Sequence, residues 1–148
     1  MKNKRDISKT DKRRVGVVSY NPNWKRMYKE ESEKIKNVLS DIIINIHHIG
    51  STAIPGIKAK PVIDILVEVK NIEAVDRYNN KIEKLGYEVM GEHGIPKRRF
   101  FRKGGNKRTH HIHIFQAGNE EIERHINFKE YLIAHPDKAR EYSKLKEN

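Results

Sequence analysis

The chain contains no cysteine. This excludes disulfide stapling, thiolate catalysis and cysteine-held zinc, and it permits a reducing compartment. Long apolar runs are missing too: no stretch approaches the ~20 residues a helix needs to cross a bilayer, and hydrophobic residues make up only 36% of the 148. The amino terminus lacks the apolar core of a secretory signal, so a cytoplasmic protein with no membrane partner is expected. Acidic residues number 20 against 31 basic ones, leaving a net charge of +11. Such an excess favours an anionic partner, whether nucleotide, nucleic acid or phosphorylated small molecule, although basic proteins without one share this composition. There is no internal repeat and no low-complexity linker. At this length the chain is expected to close one core in one domain.

What is present divides into a tail and a patterned body. Residues 1–14 carry seven Lys/Arg, two Asp and one large aliphatic, and read as a basic mobile tail. The body, 15–148, is read as a single domain. A short strand is expected over 15–19, then a helix to about Leu39 with Asn21 as cap and Pro22 in its first turn. Strands are expected at 42–49 and 61–69, with the Gly50–Lys60 loop between them. A helix follows over 72–85, stopped by Gly86, and a short strand over 87–90. Strands at 98–102 and 110–115 flank "KGGNKRT", a hairpin loop. Asn119 starts a helix through about Ala134, and Pro136 opens the last one. The order is mixed rather than alternating, which predicts an α+β domain with a mixed β-sheet and helices packed mainly on one face.

Alternation along 61–69 places Ile63, Ile65, Val67 and Val69 on one face and Val62, Asp64, Leu66 and Glu68 on the other. The aliphatic face belongs under helices, so Asp64 points the opposite way, either as a structural acceptor or into a cleft. In "THHIHIF", Ile112 and Ile114 alternate with His111 and His113. If those isoleucines join the same core, both histidines open onto the side of Asp64. There they can bind a divalent metal as neutral imidazoles, donate protons, contact phosphate, or simply form the wet side of a strand. "KRRFFRKGGNKR", 97–108, holds seven basic residues and no acid. It is either a solvated face or a phosphate grip built from Arg98, Arg99 and Arg102, with a Gly-rich turn whose amides can approach an anion. The loop "IGSTAIPGIKAKP" adds Gly50, Ser51, Thr52, Lys58 and Lys60. It lacks the spacing of a P-loop.

The blocks "YNPNW", "IHHIGSTAIPGIKAKPVIDILV", "GIPKRRFFRKG", "RTHHIHIF" and "FKEYLIAHPDKAREYSKLK" resemble the GrpB family of small bacterial proteins, similar domains of which also occur fused to dephospho-CoA kinases. The resemblance runs from about Tyr20 to Lys146. It implies a nucleotidyltransferase-like fold, in which a Gly-Ser at a strand end helps hold nucleotide phosphates and two acids at alternate positions of a following strand bind catalytic metals. Gly50-Ser51 and Asp64 match that pattern. The second acidic position falls on Leu66, and His47 stands where relatives often have Glu. Two-metal phosphoryl transfer needs several carboxylates to hold both cations, so the Asp64 strand alone does not assemble it.

Three readings follow. In the first, a nucleotidyl- or phosphoryl-transfer domain uses Gly50, Ser51, Thr52, Lys60, Arg98, Arg99 and Arg102 on phosphates and His48 as general base. Asp64, His111 and His113 then hold a divalent cation, Mg2+ or Mn2+ with Zn2+ as the further option. In the second, a module binds a nucleotide or phosphorylated small molecule without the chemistry. In the third, the charge serves nucleic acid, for which the sequence offers no recognised motif.

Overall fold

The computed structural model describes residues 16–147; the basic tail lies outside the described residues. Helix α1 spans Asn23–Val38. It begins where Asn21 Oδ1 accepts the Asn23 N–H at 2.9 Å, with Pro22 already in helical conformation. Strand β1 is Ile43–Ile49, a 3-10 turn covers Ser51–Ala53, and β2 is Ile63–Val69. The helix expected over 72–85 is a 3-10 segment, Ile72–Tyr78, leading into a short α2, Asn79–Lys84. Its apolar residues, Ile72, Val75 and Tyr78, recur every third position, and three residues per turn is the 3-10 period. Strands β3 (Tyr87–Val89), β4 (Arg99–Lys103) and β5 (His110–Gln116) follow, then α3 (Glu120–Ala134) and α4 (Pro136–Glu147). The strand expected over 15–19 is reduced to one bridge, Val18 with Ala59.

The five strands lie in the order β1-β2-β5-β4-β3. Only β2 and β5 run parallel; every other neighbouring pair is antiparallel. Ile63, Ile65, Val67 and Val69 join Ile112, Ile114, Phe101 and Tyr87 on one face, packed against Trp24, Ile35, Leu39, Ile72, Val75 and Ile82 of the helical layer. The opposite face carries a smaller cluster. There Leu66, fully buried, packs with Ile49, Phe115, Ile122 and the half-buried Ile126. Helix α3 therefore covers one corner of that face and leaves the rest for polar side chains.

The large core is crossed by one polar knot. Glu31 of α1 accepts from the Tyr87 hydroxyl at 2.8 Å and from Lys103 Nζ at 2.9 Å, and is itself 4% exposed. Burial pushes the Glu31 carboxyl up, but Lys103 and Tyr87 outweigh it and hold it below the usual range. The knot ties α1 to the β3–β4 edge, where the sheet is narrowest. Removing the carboxylate strands the Lys103 ammonium against the core, so Glu31→Ala should cost about 2–4 kcal/mol in urea unfolding, and Tyr87→Phe about 1 kcal/mol. Because Glu31 is depressed when folded, its contribution is complete above the unfolded Glu value and is lost as pH falls through the folded one. The wild-type excess over Glu31→Gln should shrink accordingly in acid.

Candidate functional site

The parallel register of β2 and β5 sets Asp64 directly beside His111, and Leu66 beside His113. Both imidazoles turn onto the face of Asp64 and reach the same carboxylate oxygen: His111 Nδ1 lies 3.3 Å and His113 Nε2 3.2 Å from Asp64 Oδ1. Burial alone would raise the Asp64 pKa. The hydrogen bonds from His111 and His113 and their charge reverse this and bring it down to about 2, so the group is ionised at every ordinary pH.

Gly50 adopts φ +76°, and a Cβ placed on it would meet Asp64 Oδ2 at 2.7 Å, with the Asp64 Cβ and Cγ only slightly further off. The glycine thus makes room for the aspartate. The carboxylate forms one wall of a small cavity of about 150 Å³, lined by Ser51, Thr52, Lys60, Val62, Asp64 and His111. Of the residues expected to hold phosphate, Ser51 and Lys60 meet Asp64 and His111 there, and among the described residues the Ser51 hydroxyl and the Lys60 ammonium are uncommitted. Thr52 lines the cavity too, but its hydroxyl is already used. It donates to the Val62 carbonyl at 3.3 Å and so accepts from His48 Nε2–H at 2.9 Å.

That contact places His48 elsewhere than expected. It sits on the opposite face of β1 from His47 and Ile49, stacked on Tyr28 of α1 at 4.7 Å. Burial and the nearby Lys129 charge lower its pKa to about 4, which makes it a poor proton acceptor. Its geometry is that of a prop for Thr52. Arg99 is also outside the cavity: it crosses to the helical layer and pairs with Asp76 at 2.8 and 3.3 Å. Arg102 stays on the site face beside His111 but is engaged by Glu88 at 2.8 Å. Arg98 is buried, its guanidinium donating to the Glu92 and His93 carbonyls at 3.2 and 2.9 Å and lying 3.4 Å from His113 Nδ1. Gly104 serves the hairpin turn, since a Cβ there would meet the Lys107 carbonyl at 2.3 Å.

Two further residues come from α3. His125 lies with its ring 6.1 Å from that of His113, and Lys129 Nζ donates to the His48 carbonyl at 2.8 Å, beside Gly50. Burial lowers the pKa of both. With Glu121 they recur at every fourth position, a polar stripe beside the apolar Ile122–Ile126 line. That stripe was visible in the sequence, but nothing local said it faced Asp64.

The departures at the second acidic position now have a physical form. Leu66 is plugged into the Ile49–Phe115–Ile122 cluster. Glu68, the next acid on that face, is held by His47 Nε2 at 2.7 Å. As to whether a cation fits, the Asp64, His111 and His113 donor atoms all lie within 4.8 Å of one another. His111 Nε2 is buried without a hydrogen-bond partner. One carboxylate with imidazole is a suitable donor set for a divalent ion, and the residues fit one cation; a second has no carboxylate.

Comparison with known proteins identifies the family and the fold. The family profile described as "GrpB protein" matches residues 14–148. The chain belongs to the GrpB family. A crystal structure of the conserved protein GrpB from Enterococcus faecalis superposes with a TM-score of 0.86 at 45% identity, covering 87% of this chain and 79% of that one, and the fold is nucleotidyltransferase-like. The UPF0157 protein YqkA of Bacillus subtilis is 52% identical over 135 residues, 91% of this chain and 39% of the relative. The glutamate-rich protein GrpB of Alkalihalophilus pseudofirmus is 34% identical over 143 residues, 93% of this chain and 82% of that protein. The chain thus spans well under half of the Bacillus relative. A dephospho-CoA kinase of Mycobacterium leprae is 23% identical over 160 residues, with 39% of its length covered. Among the described residues no helix is long and apolar enough to cross a membrane.

Two outcomes follow from this GrpB site. Gly50→Ala should destabilise the fold by at least ~2 kcal/mol in thermal or urea unfolding, because both the positive φ and the Asp64 contact oppose it. Native His48 stays neutral down to about pH 4, while in the unfolded chain it takes up a proton near pH 6.5. Its share of stability is therefore complete above pH 6.5 and falls away toward pH 4, by on the order of 3 kcal/mol. The stability–pH curve of His48→Asn should be flatter than wild type over that interval.

Proposed function

We propose that this GrpB domain binds a nucleotide or other phosphorylated small molecule together with a single divalent cation at the Asp64 cavity. The observation that supports the reading is the convergence of Asp64, His111 and His113 within 3.3 Å contacts, beside a cavity that also presents Ser51 and Lys60. Asp64 and imidazole from the histidine pair would hold the cation, which as a Lewis acid would neutralise charge on phosphate oxygens. The other tasks fall to the chain. The Lys60 ammonium offsets the remaining negative charge, and the Ser51 hydroxyl donates to a phosphate oxygen. The His48–Thr52–Val62 series keeps the Gly50–Ala53 turn in place. Phosphate contact by Arg98, Arg99 or Arg102 requires each to leave the partner it holds, so the grip rests on Lys60 rather than on the arginines.

Two-metal transfer is not assembled here, since Leu66 is core and Glu68 is engaged. The activity proposed is therefore binding. The likeness to part of a dephospho-CoA kinase accords with a phosphorylated, nucleotide-containing ligand.

Calorimetry with Mn2+ or Zn2+ and then with ATP tests this. Cation affinity should drop at least ~100-fold in Asp64→Asn, and ATP affinity about 10-fold in Lys60→Ala. The reading is sunk if no cation binds, or if Asp64→Asn binds as well as wild type. Binding of long RNA that ignores Asp64 and collapses with salt would point instead to a nucleic-acid role.

A further inference from the structure

The two histidines on Asp64 are not equivalent, and Arg98 makes the difference. A guanidinium has five N–H donors and no acceptor, and it keeps its proton under all ordinary conditions. Arg98 Nη1 faces His113 Nδ1 at 3.4 Å. That ring nitrogen must therefore be the acceptor, carrying its lone pair toward arginine. A neutral imidazole has one N–H, so the proton of His113 sits on Nε2, which is the atom 3.2 Å from Asp64 Oδ1. His113 is left as a donor to the aspartate, with no lone pair aimed at the cavity.

Arg98 is built to stay where it is. It is 6% exposed, donates to the carbonyls of Glu92 and His93, and lies 4.6 Å above the Phe100 ring. The segment that carries those carbonyls is strained. Gly91, His93, Gly94 and Lys97 all have positive φ, two of them non-glycine residues for which that conformation is costly. The His93 ring closes the arrangement by stacking on the other partner of Arg98, Phe100, at 5.1 Å. Phe100 in turn lies against both His113 and His111, at 5.1 and 5.3 Å.

His111 stands in contrast. Its Nδ1 faces Asp64, but among the described residues nothing contacts its Nε2, which is buried and unpartnered. No donor opposes either nitrogen, so its proton can move to Nε2 and leave Nδ1, the atom that faces Asp64, with a lone pair for a cation.

We infer that Arg98 is a positioning residue that locks His113 in the Nε2–H tautomer, so that His113 anchors Asp64 as a hydrogen-bond donor while Asp64 and His111, among the described residues, are the ligands to the cation. This rests on the cation reading for its second half, whereas the tautomer assignment stands by itself. Ligating imidazoles normally give their second N–H to an acceptor; at His113 that place is taken by a donor, which opposes ligation.

Long-range 1H–15N correlation spectra of the whole protein test both halves. Without metal, His113 should show protonated Nε2 and an unprotonated Nδ1. Added Zn2+ should shift the His111 nitrogens and leave the His113 pattern unchanged. In Arg98→Ala the His113 ring is released and becomes a third ligand, so Zn2+ affinity should rise about 10-fold rather than fall. Arg98→Lys, which keeps a donor charge, should give a smaller rise. A wild-type His113 with its proton on Nδ1 overturns the inference, whatever the metal does. So does a Zn2+ shift on His113 equal to that on His111, and the cation reading survives in that case. If Zn2+ moves neither ring, the ligand assignment falls together with the cation reading, while the metal-free spectrum still decides the role of Arg98.

Discussion

The parallel pairing of β2 with β5 is the constraint on which the site depends. It places Asp64 in register with His111 and one step from His113, and so lets a partly buried carboxylate survive on a strand that is otherwise core. Shifting either strand by one residue would turn Asp64 toward the helices and the isoleucines toward the cleft. The register is held by the aliphatic face: Ile63, Ile65 and Val67 pack with Ile112 and Ile114 beneath α1 and α2. Core and site are thus two sides of one decision, with hydrophobic burial on one face fixing polar geometry on the other.

Around that pair the chain spends its polar groups in supporting roles. His48 holds Thr52, Lys129 holds the His48 carbonyl, Glu68 holds His47, and Arg98 holds a strained segment against His113. Gly50 completes the set by leaving space where a side chain would strike Asp64. Among the described residues, what remains uncommitted at the cavity is small: Ser51, Lys60, one oxygen of Asp64 and a nitrogen of His111. An inventory that short suits recognition of a compact anion with its cation better than a two-metal reaction, and Leu66 gives the reason. Its burial with Ile122 seats α3 on this corner of the sheet, so the residue missing from an acidic pair is a packing residue here.

Much of this was legible in the chain. Alternation over 61–69 and 110–115 placed Asp64, His111 and His113 on one face, and the resemblance to the GrpB family set the fold and drew attention to Leu66. The reading of the basic run 97–108 fared differently, because charge in a sequence does not reveal its partner. Arg99 found Asp76 and Arg102 found Glu88, while Arg98 turned inward. His48, expected as a general base, is instead committed to Tyr28 and Thr52, partners that no local pattern reveals. His125 and Lys129 stand on a polar stripe of α3 whose position beside His113 and His48 no local pattern reveals.

The sequence by itself determined the elements, the two faces of the central strands and the absence of a second carboxylate, because these depend on periodicity and residue type within a few neighbours. Tertiary structure alone decided which cations are free, which histidine keeps a lone pair and which glycine is sterically required. Those properties depend on partners far along the chain, as with Asp64 and His113 or Arg99 and Asp76, and hydrogen-bond donors and acceptors are allotted only once such groups meet.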